Sequence, residues 1–408
     1  MSNRKVYTNI SKLYSLQGGI RIHESLDDPK IIENAYMIVH EDKIEEIGFM
    51  KDWINNGEEI IDLNNQIVIP GIIDAHSHLV FGGNRVNEYS MKIKGASYMD
   101  IYNAGGGIHS TVKATRNTSF DDLYKKAEKT IYDMLACGVT TLEAKSGYGL
   151  NKETEIKQLK VVKALNENTP MDLVSTFMPA HALSKDYKDS KEFFDTMIQD
   201  VLPIVMEENL AEYMDCFLEK GVFDVEESRI ILKAGKDAGL KIKIHVDEIE
   251  DIGGVDLGVE LNATSLEHCM VTKSDNMDKM SAHGIVAVIL PATSFNLGKD
   301  YANVREMINK GVVVALSNDY NPGSCPCSDS IWMARIASRG CKLTPNEVLS
   351  MMTINSAKAI DREHLIGSLE RGKQADFVVI QAESFDEVIA NLGANPISAV
   401  YKKGVKVC

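Results

Sequence analysis

The chain has 408 residues, 44% of them apolar and 25% charged, with 29 glycines and 10 prolines. Those values describe a globular protein and exclude a disordered, collagenous or low-complexity chain. A formal charge of −15 repels phosphate backbones and anionic lipid, so neither a nucleic-acid nor a membrane partner is expected, and a small anionic substrate would need a local cationic clamp.

From Lys5 to about Ile69 the chain reads as short strands. Met37-Ile38-Val39-His40 turns at Glu41-Asp42 into Ile44-Glu45-Glu46-Ile47-Gly48. Ile60–Leu63 and Gln66–Ile69 follow around an Asn-Asn turn. The alternating pattern after Met1 is not the apolar run of a signal peptide, and no run reaches the roughly 18 residues that span a bilayer. The seven cysteines are odd in number and scattered, which predicts reduced thiols and a cytoplasmic protein.

The middle of the chain follows another grammar. Ser119-Phe120-Asp121-Asp122 reads as a capped helix start, with Leu123, Ala127, Ile131 and Met134 at helical spacing until Gly138. Val139–Leu142 is then a strand. The order helix, glycine, strand recurs at Glu227–Ala238, Gly239 and Leu240–Val246. It returns at Asp275–Ala282, Gly284 and Ile285–Leu290, and again at Val304–Lys310, Gly311 and Val312–Leu316. This is βα alternation, and without a Gly-x-Gly-x-x-Gly fingerprint it suits a (β/α)8 TIM-like barrel better than a doubly wound sheet. From about Leu365 short strands return, at Ala375–Ile380, Ile397–Tyr401 and Gly404–Val407. Neither end carries enough apolar surface to fold alone. The α/β barrel is therefore expected over residues 69–364, with residues 1–68 and 365–408 completing one small β-sandwich domain.

Barrel active sites lie at the C-terminal ends of strands. His76, His78, Glu143, His181, His245, His268 and Asp319 fall there, including five of the ten histidines. In Asp74-Ala75-His76-Ser77-His78 the two imidazoles are two apart on an extended segment and aim at one point. With His245 and Asp319 on later strand ends they predict a metal centre with an open position. An ion held so lowers the pKa of bound water to about 7 and polarises a carbonyl oxygen. Imidazole and carboxylate suit one divalent or iron ion per subunit, zinc or iron. Cys325-Pro326-Cys327 reads as plain loop thiols, and Gly105-Gly106-Gly107 as a loop over the barrel mouth. Lys243 shares the inward parity of His245 and needs a buried partner that the sequence does not name.

Pro70-Gly71-Ile72-Ile73-Asp74-Ala75-His76-Ser77-His78 and Gly367–Val379 resemble the amidohydrolase superfamily. Leu79–Arg85, Glu143–Gly149, Met178–Ala182, His245–Ile249 and Asp319–Ser324 sharpen the resemblance to the imidazolonepropionase family over nearly the whole chain. The resemblance implies hydrolysis of 4-imidazolone-5-propanoate to N-formimidoyl-L-glutamate. Matching motifs imply His76, His78, His245 and Asp319 as ligands; Arg85, Tyr148, His181, Glu248, Asn321, Gly323 and Ser324 around the substrate; and Glu248, His268 and Asp319 as catalytic groups. Glu248 and His268 divide the proton and oxyanion work in an order the residues leave open. Departures from the family pattern are Glu267 for its usual Asp, Cys269 for Leu and Asn318 for Thr, which change the surroundings of the ligands and leave the ligands themselves in place. Lys145 is similar to the bridging lysine of two-metal relatives, but an ion pair is the simpler reading and one metal is expected.

An arginine offered to the mouth of so acidic a protein fits a carboxylate-bearing substrate, gripped through parallel hydrogen bonds. A nucleobase deaminase or cyclic-ureide hydrolase is the rival enzyme reading, though a neutral base gives Arg85 nothing to grip. A catalytically dead barrel scaffold is the other rival, and it is at odds with a complete ligand set. By analogy with other barrels a homodimer is expected.

Overall fold

Four strands open the chain: β1 (Arg4–Tyr14), β2 (Ile31–His40), β3 (Lys43–Phe49) and β4 (Glu59–Pro70). The computed structural model describes residues 4–95, 100 and 105–408. β2 and β3 form the expected hairpin, with Glu41 at φ 57° in its turn. The two segments expected on either side of Asn64-Asn65 are instead one strand. Asn64 and Asn65 sit at φ 53° and 56° within β4, facing Asn9 at φ 53° on β1, and the pairing jumps from Thr8↔Asp62 to Ile10↔Gln66. Asparagine enters the left-handed region at low cost, so the pair bulges the strand without ending it.

Eight parallel strands follow. They are β5 (Ile72–Asp74), β6 (Val139–Lys145), β7 (Asp172–Ala180), β8 (Tyr213–Cys216), β9 (Lys241–Val246), β10 (Ser265–His268), β11 (Val286–Ile289) and β12 (Val314–Leu316). Each pairs with its sequence neighbour. Beyond the last regular residues, the Asp319 N–H donates to His76 O at 3.0 Å and the His78 N–H to Tyr320 O at 2.9 Å. These bonds join the first strand to the last and close the barrel.

Local chemistry sets the element limits. Ser119 accepts from the Asp122 N–H and starts the helix Phe120–Ala136 as expected. Asp224 and Glu227 form a reciprocal capping box, so the helix Val225–Ala238 begins two residues before its apolar spacing suggests. Gly138, at φ 86°, passes between the helix and β6, where a Cβ would stand 3.0 Å from Ile72 and 3.1 Å from Ile397. Among the described residues no helix is long and apolar enough to cross a membrane.

The chain ends in β13 (Phe377–Ile380), β14 (Ile397–Lys402) and β15 (Val405–Lys406). β13 pairs antiparallel with β4, giving one sheet from both chain ends in the order β15-β14-β13-β4-β1-β2-β3. The sheet rolls over, because the Ile44 N–H donates to Lys373 O at 2.9 Å and the Gly372 N–H to Ile44 O at 2.8 Å. Its inner layer holds Tyr7, Ile10, Leu13, Val68, Phe377 and Tyr401. The opposite parity, Ile67, Ile69, Val378 and Ile380, joins Ile131 and Met134 in the core shared with the barrel. Each fully buried aliphatic side chain there is worth roughly 1.5–3 kcal/mol, so the small domain is stabilised by the barrel against which it lies.

Candidate metal centre and active site

The barrel interior is layered along its strands. Ile73, Val174, Tyr213, Val286, Val288, Val313 and Ala315 pack the N-terminal floor with Ile360. Above them lies a layer of fully buried charge. Lys145 Nζ donates to Glu143 at 2.9 Å and Asp215 at 2.8 Å, and Lys243 Nζ donates to Ser265 Oγ at 2.9 Å and Glu267 Oε1 at 3.2 Å. The partner Lys243 requires is thus Glu267, supplied by β10, where the register sets Ser265 beside Lys243 and Glu267 beside His245. Burial pushes the Lys145 ammonium down, but Asp215 and Glu143 outweigh it and hold it above the ordinary lysine value. Burial likewise pushes the Asp215 carboxyl up, and His245 and Lys145 outweigh it to hold it far below the carboxylate range. Lys145 is therefore an ion-pair lysine, as expected.

The sequence-predicted ligands meet above this layer. β5 stops at Asp74, and His76 and His78 continue it as extended chain, with Ser77 bridged to Tyr320. Their rings lie 5.6 Å apart, and the His245 ring stands 4.6 Å from His76 and 5.7 Å from His78. Asp319 Oδ1 is 3.6 Å from His76 Nε2 and 3.9 Å from His78 Nε2. The other oxygen, Oδ2, accepts from Thr293 Oγ1 at 2.7 Å, which aims Oδ1 at the imidazoles. Asp319 adopts φ 57°, a left-handed turn that swings its carboxyl back over the strand ends. Burial, with neighbouring cationic groups, holds His76 and His78 well below the usual histidine value, leaving the neutral imidazoles that bind metals.

These residues fit a metal ion. His76 Nε2, His78 Nδ1 and both ring nitrogens of His245 are buried atoms without a hydrogen-bond partner. Such orphans are costly unless something else satisfies them. Donor atoms of His76, His78 and Asp319 lie within 4.8 Å of one another, as do those of His76, His245 and His268. His268, expected beside the reacting amide, thus also comes within reach of the metal position. His245 Nδ1 lies 3.0 Å from Asp215 Oδ2, behind the ligand face.

The predicted substrate residues line the same mouth. His181 stacks on His78, ring centres 4.7 Å apart at 19°, and the Tyr148 ring is 5.5 Å from His78 and 5.1 Å from His181. Burial pushes His181 down to about 3, so it stays a neutral donor or acceptor. The loop carrying Tyr148 is pinned by Glu155, which accepts from the Gly147, Gly149 and Leu150 N–H groups at 3.1, 2.8 and 2.8 Å. Arg85 keeps 17% of its side chain exposed and is forked by Glu88, at 3.0 Å from Nε and 2.9 Å from Nη2. Glu88 also accepts from the Gly107 N–H at 2.8 Å, tying the triple-glycine loop to Arg85. A Cβ on Gly323 would lie 2.0 Å from Arg85 Nη1, so the guanidinium rests directly on that glycine. Asn321 spends its amide inside the loop, accepting from the Gly323 and Ser324 N–H groups at 2.8 and 2.7 Å and donating to Ser324 Oγ at 2.8 Å. It shapes the bed on which Arg85 lies. Glu248, with 24% of its side chain exposed, faces His268 Nε2 at 3.7 Å, and His268 takes φ 71°.

Asp215, Glu88, Glu155 and Thr293 were not singled out from sequence. Asp215 alone had a signal there, a carboxylate within a short buried strand. The others act from helices and loops whose approach to the mouth is set by tertiary packing. Of the departures, Asn318 donates to Ser330 Oγ at 2.8 Å, and Cys269 is buried. All seven cysteines are free thiols.

The amidohydrolase family model matches residues 67–407. An imidazolonepropionase of Fusobacterium nucleatum is 48% identical over 385 residues, covering 93% of each chain. One of Alkaliphilus metalliredigens is 45% identical over 405 residues, covering 97% of this chain and 96% of its own. Among solved structures, a triazine hydrolase variant matches with a TM-score of 0.77 at 14% identity, over 99% of this chain and 94% of its own. The guanine deaminase of E. coli matches at 0.76 and 15%, over 100% and 99%. Those two likenesses establish the fold, and the two closer relatives establish the branch: the chain belongs to the imidazolonepropionases of the amidohydrolase family.

Proposed function

We propose that this chain opens the ring of 4-imidazolone-5-propanoate to N-formimidoyl-L-glutamate, with one zinc or iron ion per subunit held by His76, His78, His245 and Asp319. The observation that carries the reading is the convergence of those buried donors next to a guanidinium bedded on Gly323. When bound, the ion acidifies a water molecule and polarises the ring carbonyl. Full engagement of Lys145 by Glu143 and Asp215 leaves it no part in holding a second ion.

Arg85 takes the propionate, with Tyr148 and His181 walling the ring so that its carbonyl carbon faces the ligand cluster. Asp319 accepts the proton of the attacking water. The water oxygen bonds to the carbonyl carbon, the C–N bond to the ring nitrogen breaks, and that nitrogen leaves carrying a proton. Glu248, the more exposed carboxyl beside the mouth, delivers that proton, and His268 stabilises the carbonyl oxygen as charge develops on it.

A spectrophotometric assay of the imidazolone, run beside guanine and hydantoin with metal analysis of the same sample, tests this. Loss of the imidazolone with about one ion per chain is expected. Turnover of guanine or hydantoin in its place, or two ions per chain, would sink the reading. A guanine deaminase fold-mate is no argument for deamination, because a purine brings no carboxylate for Arg85.

A further inference from the structure

Glu267 reaches across the barrel from β10 to His76, with Oε2 2.5 Å from His76 Nδ1 and both side chains fully buried. Its other oxygen, Oε1, is taken by Ser265 Oγ at 2.5 Å and Lys243 Nζ at 3.2 Å. Lys243 is fixed in turn by the Ala75 carbonyl at 3.3 Å, one residue before His76. A carboxylate whose Oε1 already receives an ammonium and a hydroxyl is an acceptor, so the proton in the Glu267–His76 contact must lie on His76 Nδ1. Nε2 is then a bare lone pair, and it is the atom that lacks a partner and faces Asp319.

We infer that Glu267, locked by Lys243 and Ser265, is a positioning residue that sets the tautomer and ring plane of His76 and thereby the affinity of the site for its ion. This rests on the metal-site reading above. A carboxylate behind a ligating imidazole fixes the ring and raises its basicity, and its loss costs about 10- to 100-fold in metal affinity. Lys243 has a second role in the same device. Without its charge, Glu267 would be a buried anion held only by a hydroxyl and an imidazole N–H.

The test uses metal-loaded protein labelled with 15N in histidine, and it needs no turnover. The His76 signals, assigned by their loss in His76→Asn, should show Nδ1 protonated and hydrogen-bonded, with Nε2 unprotonated. An Nε2–H tautomer, or coordination through Nδ1, would overturn the inference even if no Glu267 variant folded. In Glu267→Gln, chelator competition with zinc should show binding about 10- to 100-fold weaker, and Glu267→Asp, which keeps a carboxylate, should recover most of it. Zinc affinity in Glu267→Gln equal to that of the parent would also overturn it. Because neither readout involves the imidazolone, failure of the substrate assignment would be seen separately, in the assay of the parent protein.

Discussion

The two ends of the barrel are built from the same strands and obey opposite rules. At the floor, Ile73, Val174, Val286, Val288 and Val313 fill the interior with branched aliphatic side chains. At the mouth the inward groups are His76, three residues beyond Ile73, with His245, His268 and Asp319, and the turns there carry Asp247, His268, Cys269 and Asp319 at φ 52°, 71°, 50° and 57°. Left-handed non-glycine residues cost of order 1–3 kcal/mol each. The floor supplies the packing energy that lets the mouth keep bare imidazole nitrogens and strained turns, so stability and chemistry are separated along one set of strands.

That separation can be broken from either end. His76→Ala should have the largest effect, removing a ligand and with it both metal content and measurable turnover while the floor stays folded; metal analysis and circular dichroism of one sample check both halves. Next, Glu248→Gln should leave the metal bound and lower turnover by roughly 10²–10⁴-fold, read as kcat with metal content unchanged. Near-normal kcat would take Glu248 out of the proton transfer. Smaller again is Gly323→Ala, whose Cβ displaces the Arg85 guanidinium. It should raise KM by about 10- to 100-fold, the worth of a charge-assisted hydrogen bond, without loss of metal. An unchanged KM would mean that Arg85 does not hold the propionate. At the floor, Ile360→Val should cost about 0.5–1.5 kcal/mol of stability and leave kcat and KM alone. A kinetic effect from that substitution would show that the two ends are coupled.

Much of this separation was legible in the residues. The recurring helix, glycine and strand spelled out the barrel because a buried parallel strand needs an apolar run and its preceding helix needs a left-handed stop, as at Gly239 with φ 108°. His76 and His78 stood out because alternate residues on an extended chain share a face. Asn64-Asn65 misled, since the residues that favour a turn are also those that form a bulge, and only the pairing of β1 with β4 decides between them. The partner of Lys243 and the role of Glu267 stayed hidden for a related reason. Both depend on the stagger between β9 and β10 and on a reach across the barrel to β5, and no spacing along a chain encodes the distance between strands.

Local chemistry, then, was enough to determine which side chains point inward, where the helices start and stop, and which donor types gather at the strand ends. These follow from backbone periodicity and from hydrogen bonds a few residues long. Tertiary structure alone decided which carboxylate stands behind which imidazole, that Lys145 is consumed by Glu143 and Asp215, and that Arg85 lies on Gly323 under the hold of Glu88. The physical reason is that the energy of a buried charge is set by neighbours within a few ångströms in space, and closing eight strands into a ring makes neighbours of residues that are hundreds of positions apart.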